Sequence, residues 1–286
     1  MLRPVRRIRS ANEQSSGWIE LAEEHSEARV ASGGAIRTSA AERVATIAHL
    51  SDLHICDAES PGRQEYLDHY GRPGHPLAPL VGSVGTYRPQ ETLTVPVALC
   101  MVEVVNQIAA QAAGTGRPMD AVILTGDLTD NAQGNELDWV AAILDGGTVR
   151  PASGGLSSSW VGASSGAFRA QYWYPEGHRD GDDQWRRDHG FPMVDGLIEA
   201  ARAYFVSPGL DISYFGVHGN HDLLLQGTVP ADDDVRSLVV GKRRYTDLAP
   251  QQSPMGILEV VPGVGPARSA HTAGSPTESV MSDPAR

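Results

Sequence analysis

Lysine is almost missing from this chain. Of 23 basic residues only Lys242 is a lysine, and because Arg243 follows it there is no Gly-Lys-Ser/Thr element. That excludes a nucleotide-hydrolysing phosphate loop. Cysteine is as scarce. Cys56 and Cys100 are too few for a disulfide framework or a thiolate zinc site, and Cys56, two residues after His54, reads as a small, partly buried side chain. Long apolar runs are missing too, with none approaching the roughly 18 residues of a membrane span. The basic start (Arg3, Arg6, Arg7, Arg9) leads into a polar and acidic stretch, not an apolar one, so no secretory signal is read and a cytoplasmic location is expected. Positive charge is in deficit overall. A net charge of -12 argues against a nucleic-acid or anionic-membrane binder, although cations could neutralise the carboxylates and admit a phosphate substrate. What is present, 286 residues with 41% hydrophobic content, is enough for a real core in one large α/β domain or two small ones.

Read along the chain, residues 1–43 form a polar leader with at most one helix. Val44–Leu50 (VATIAHL) is the first strand, and Glu59–Gln90 reads as loop because Pro61, Gly62, Gly71, Pro73, Gly74, Pro76 and Pro79 interrupt it. Thr94–Ala113 has helical spacing, with Val97, Met101, Val104, Val105 and Ile108 able to share one face. Asp120–Thr125 (DAVILT) is a continuous apolar run, hence a strand buried on both faces. Asn135–Leu144 is a helix closed by Gly146-Gly147. This strand, loop, helix rhythm predicts an α/β layered fold, with residues 44–225 as its core. Residues 148–190 read as an insertion. Its first half is low in complexity, and its second half carries Tyr172, Trp173, Tyr174 and Trp185, aromatics that suit packing over the sheet rim. Val194–Phe205 looks helical and Ile212–Val217 supplies a third strand. Residues 226–286 read as a partial second half with a linker-like tail: Val235–Val240 and Gly256–Val261 are candidate strands, and Gly241-Lys-Arg-Arg is a solvated turn.

Three cassettes carry the chemistry, each following an apolar strand: Asp52-Leu-His54, Gly126-Asp127-Leu-Thr-Asp130-Asn131 and Gly219-Asn220-His221-Asp222. Ligands of open α/β sheets collect beyond the carboxyl ends of strands, where such loops converge. Asp52 and His54 are spaced i, i+2, so extended backbone would point both to one side. Asp127 has two carboxylate oxygens with which to bridge cations, and Asn220 offers an amide oxygen. This mixture of O and N donors suits Mn, Fe or Zn. Two such ions, about 3.5–4 Å apart, could hold a bridging hydroxide and clamp a phosphoryl group. His221 is then the general acid, oriented by Asp130 or Asp222. Asn131 either contacts substrate or caps the following helix, and Asp130 could cap it as well.

Taken in order, the cassettes resemble the calcineurin-like metallophosphoesterase superfamily. The resemblance implies a four-layer α/β/β/α sandwich with a binuclear metal site at the strand ends. It implies Asp52, His54 and bridging Asp127 on one metal ion, and Asp127 and Asn220 on the other. It further implies that His221 contacts the substrate phosphate with Asp130 in support. The stretch His49-Leu-Ser-Asp-Leu-His resembles bacterial members acting on phosphodiesters or nucleotides, so the implied substrate is a small or nucleotide-like phosphoester. Members of the superfamily carry further histidine ligands after the Asn-His pair. This chain has only His271 there, in a Ser-Ala-His-Thr context. The chain is therefore read as the N-terminal part of a longer enzyme or as a truncated gene product, with the sandwich incomplete at its C-terminal side. Two alternatives stand beside the phosphoesterase: a non-catalytic fragment with an incomplete metal site, and a nuclease.

Overall fold

A computed structural model describes residues 4–10, 21–27, 45–82, 87–112, 117–154, 159–228, 230, 232–241, 243–245 and 279–280, the first two stretches as backbone only. At the N-terminus, β1 (Pro4–Ser10) pairs antiparallel with β2 (Leu21–Glu27), where the sequence suggested at most a helix. The strands that matter for the site come next: β3 (Ile47–Leu50), β4 (Ala121–Leu124) and β7 (Tyr214–Gly216). They form a parallel sheet in the order β3-β4-β7, with Leu50 opposite Leu124 and Leu124 opposite Gly216. All three apolar runs therefore end at one edge, and their following loops start side by side.

Parallel neighbours need long crossovers, and these supply the helices. Between β3 and β4 lie α1 (Tyr66–Gly71), α2 (Ala78–Val81) and the long α3 (Thr94–Ala109). The Pro- and Gly-rich stretch 59–90 was expected to hold no regular element. It breaks only into short ones, and α2 carries Pro79 in its first turn, where a missing N–H costs the helix nothing. After β4 comes α4 (Gly134–Asp145). Its N-cap is Gln133, which forms a reciprocal capping box with Glu136, so neither Asp130 nor Asn131 caps it. Val95, Ala98, Leu99 and Val102 of α3 and Val140, Ile143 and Leu144 of α4 pack with Leu53, Ile55 and Leu124 into one core.

That core closes one face of the sheet. Val122 and Leu124 point into it, while Ile47 (54% exposed), Phe215 (63%) and Val217 (61%) lie on or just beyond the other side. β4 was expected to be buried on both faces. Among the described residues only one face is covered, giving a helix layer on a sheet layer.

The remaining elements are short: β5 (Gly147–Val149) pairs antiparallel with β6 (Phe205–Ser207), and α5 (Gln184–His189) and α6 (Leu197–Ala201) lie between them. The helix expected over Val194–Phe205 is thus cut to five residues, and Phe205 belongs to a strand. Val235–Val240, expected as a strand, lies mostly in α7 (Asp233–Val239), because the Asp232 side chain accepts from Val235 N and starts a helix there. β8 (Arg243–Arg244) pairs with β9 (Ser279–Val280). Gly256–Val261 and His271 lie outside the described residues.

The aromatic insert packs inward, as read from the sequence. Tyr172, Trp173 and Tyr174 are buried, with Tyr172 OH donating to Glu65 O and Trp173 N donating to Tyr87 OH.

Candidate functional site

The three cassettes meet beyond the carboxyl ends of β3, β4 and β7. Past its strand end, the chain after β3 stays alongside the chain after β4: Asp52 N donates to Gly126 O, His54 N to Asp127 O at 2.9 Å and Ile55 N to Leu128 O at 2.9 Å. It does so with left-handed backbone. Asp52 (φ 58°), His54 (φ 45°) and Asp127 (φ 51°) all sit at positive φ, where non-glycine residues are uncommon. The extended backbone inferred from the Asp52/His54 spacing is therefore corrected. The two side chains reach one site because each residue curls, not because alternate residues share a strand face.

Two glycines permit the close approach of the second and third loops. A Cβ on Gly126 would lie 2.6 Å from Gly219 N, and one on Gly219 would lie 2.5 Å from Asp127 N and collide with Asp127 Oδ1. Both glycines of the Gly-Asp and Gly-Asn motifs are thus steric requirements at one crossing point. His221 N donates to Asp127 Oδ1 at 2.8 Å, fixing that carboxylate. Asp222 ties the same two loops together, accepting from Thr129 N (2.8 Å), Thr129 Oγ1 (3.0 Å) and Gly219 N (2.9 Å). Against the cost of burial these bonds hold its carboxyl below the ordinary value. Asp222 is spent on the loops, and it is Asp130 that orients His221.

Asp130, with a side chain 3% exposed, is the hub. Its Oδ1 lies 2.9 Å from His54 Nδ1 and 3.4 Å from His221 Nδ1, and its backbone carbonyl accepts from His221 Nδ1 at 3.1 Å. A carboxylate and a carbonyl only accept, so both imidazoles carry their proton on Nδ1 and present Nε2 outward. The rings meet edge to face, 4.4 Å between centroids at 88°. Asp130 also accepts from Arg63 Nη1 and, at 2.7 Å, from Arg88 Nη1. Burial opposes its ionisation, but Arg63 and the bonds from His221 and His54 outweigh it and hold the carboxyl far below the usual carboxylate range. The hydrogen bond to Asp130 in turn raises the His221 imidazole above its ordinary value.

His54, Asp127 and His221 form a group whose ligand atoms all lie within 4.8 Å of one another, the spacing of a single metal ion. Asp52 is 62% exposed at its side chain, with Oδ1 3.7 Å from His54 Nε2. The hydrogen bond from Ser51 lowers its carboxyl. This donor set fits a cation: the imidazoles are in the ligating tautomer, and two carboxylates stand opposite. Asn220 is exposed in the loop beside His221. Asn131 is buried. Its Nδ2 donates to Gly62 O, its Oδ1 accepts from Leu225 N, and its N donates to Glu136 Oε2, so it links three segments beneath the site.

Sequence reasoning missed the charged layer underneath. Arg63 is buried among Glu65 (2.7 Å), Glu91 (2.7 Å) and Asp130. Arg244, read as part of a solvated turn, is 3% exposed and donates to Glu65 at 2.6 Å and to the carbonyls of Ala58 and Val161. The available signal was the arginine bias itself, since arginine suits buried, multiply bonded ion pairs. Cys56 is 3% exposed, and burial pushes its thiol well up, which leaves it inert packing.

Compared with known proteins, the chain matches no family model, no curated protein and no solved structure.

Proposed function

We propose that this chain is a metal-dependent phosphoester hydrolase whose site lies at the carboxyl ends of β3, β4 and β7. One observation carries the reading: Asp130 aligns two imidazoles, His54 and His221, so that with Asp127 they converge on one cation-sized space at a sheet edge. His54 and Asp127, with Asp52 alongside, would hold a first Mn, Fe or Zn ion. Asp127 and Asn220 are the donors left for a second. Bound there, the metal would polarise a phosphoryl oxygen and lower the pKa of water.

The chain's own residues do the rest. Asp127 is locked by His221 N, and His54 is locked by Asp130, so the donors are organised before any ligand arrives. His221 stands where the resemblance puts a phosphate contact and proton donor. Asp130 favours its protonated form, as a general acid requires. Since His221 also falls within the ligand group, the cation and the phosphate compete for its Nε2. We assign it to the phosphoryl group, because Asp130 favours the protonated ring, which cannot ligate a metal through that nitrogen. The four-layer sandwich remains part of this proposal, and the uncovered face of β3-β4-β7 is the side on which a second sheet would stack.

Hydrolysis of bis-p-nitrophenyl phosphate with Mn²⁺ tests the reading directly. Turnover that appears with Mn²⁺ and vanishes with chelator supports it, and no turnover at any Mn²⁺ concentration would sink it. A second reading, one structural ion without catalysis, is favoured by the fact that only three donors cluster closely among the described residues. Two tightly bound ions per molecule would refute that alternative.

A further inference from the structure

Arg88 enters the site from outside the three cassettes, on the turn before α3. Its Nη1 is 2.7 Å from Asp130 Oδ1, and its Nη2 is 3.4 Å from His221 Nε2, the ring atom turned away from Asp130. Its side chain is 29% exposed, unlike that of Arg63 (2%). The two arginines are balanced differently. Arg63 has Glu65, Glu91 and Asp130 against it, whereas the one carboxylate paired with Arg88 among the described residues is Asp130, which Arg63 shares. Arg88 therefore carries positive charge to the open side of the site, where its planar fork can hold an oxyanion.

It also lines a cavity of about 260 Å³ whose lining mixes polar groups, His54, Glu91 and Asp130 among them, with the apolar side chains of Leu53, Leu93 and Val97. That is smaller than the ~300 Å³ at which pockets for drug-sized ligands begin. The space accommodates an aryl or alkyl group attached to a phosphoryl group held at Arg88.

We propose that Arg88 holds a non-bridging oxygen of the substrate's phosphoryl group, and that the adjoining cavity takes a small apolar ester substituent. The assignment rests on the phosphoester reading and adds to it where the phosphoryl oxygen and the ester substituent are held. The test uses the full chain and titrates inorganic phosphate by calorimetry at saturating Mn²⁺. Arg88→Gln weakens phosphate binding tenfold or more when each variant is titrated at its own saturating Mn²⁺. Arg88→Lys, which keeps the charge but not the fork, recovers part of the loss. Val97→Trp, which fills the cavity, leaves phosphate affinity unchanged and raises KM for p-nitrophenyl esters tenfold.

Wild-type phosphate affinity in Arg88→Gln, or no phosphate binding by the wild type, overturns the arginine's role. An unchanged KM in Val97→Trp overturns the cavity's role. If phosphate binding depends on Arg88 yet no ester is hydrolysed, the hydrolase reading fails while the anion site stands. If esters are hydrolysed equally by wild type and Arg88→Gln, the hydrolase reading stands and the arginine's assignment is overturned.

Discussion

Asp130 Oδ1 lies 2.9 Å from His54 Nδ1, deep under the site and 76 residues away in sequence. A metal-ligating imidazole needs its other nitrogen held, and here a carboxylate that is itself pinned by Arg63 and Arg88 does the holding. The same carboxylate sits against His221, so one buried side chain sets both rings.

Replacing Asp130 should therefore damage metal binding without removing a ligand. Asp130→Asn is expected to weaken Mn²⁺ binding by roughly 10- to 100-fold, the usual effect of losing such a support. Calorimetric titration of the folded variant checks this. It should also destabilise the chain by about 3–5 kcal/mol, because Arg63 loses one of its buried partners.

The same group predicts a pH window for the metal-free protein. The carboxyl of Asp130 is depressed on folding, so its stabilisation is present above its unfolded value of about 3.9 and is lost as pH falls below that. The His221 imidazole is raised, so its stabilisation is complete below about 6.5 and is lost as pH rises through the folded value. The two together are largest between about pH 4 and 6.5. Urea midpoints in chelator at pH 3, 5.5 and 8.5 should show that maximum in wild type and a flatter profile in Asp130→Asn.

Gly219 and Gly126 should tolerate no side chain. Gly219→Ala drives a methyl into Asp127, and overpacking of this kind costs about 1–3 kcal/mol. Mn²⁺ affinity should fall with it, since the displaced group is a proposed ligand; a Gly134→Ala control, whose Cβ meets nothing within 4 Å, should leave both unchanged.

Asp222→Ala separates loop clamping from proton supply. Three donors lose their acceptor, so stability should drop by about 2 kcal/mol or more. The pH profile of whatever activity survives should keep the wild-type basic limb, because Asp222 makes no hydrogen bond to the His221 ring. A shifted limb would return Asp222 to an orienting role.

The parts of this fold that were legible in sequence are those in which physics acts locally. Ile47–Leu50, Ala121–Leu124 and Tyr214–Gly216 lie inside the apolar runs that mark them, and the residues just after them converge as an open parallel sheet requires. The backbone of Asp52, His54 and Asp127 was not legible, because positive φ in aspartate and histidine is imposed by the pairing of the two loops and leaves no mark in composition. Arg63, Arg88 and Glu91 escaped notice because they lie in or just after a Pro- and Gly-rich stretch, where periodicity says nothing. Val235–Val240 misled because its branched residues look like a strand, while the single cap at Asp232 decides for a helix. Beside β3-β4-β7 the described residues form only two-stranded pairs, so the four-layer sandwich implied by the resemblance stays a proposal.

In the function proposed above, His54 and Asp127, with Asp52 alongside, hold the cation and His221 serves the phosphoryl group. The most direct measurement follows bound Mn²⁺ and bis-p-nitrophenyl phosphate hydrolysis together in wild type and Asp127→Asn. The variant is expected to remain folded, to lose most of its Mn²⁺ affinity and to lose activity at least 100-fold. Hydrolysis at the wild-type rate in Asp127→Asn, or in wild type stripped of metal, would contradict the proposed function.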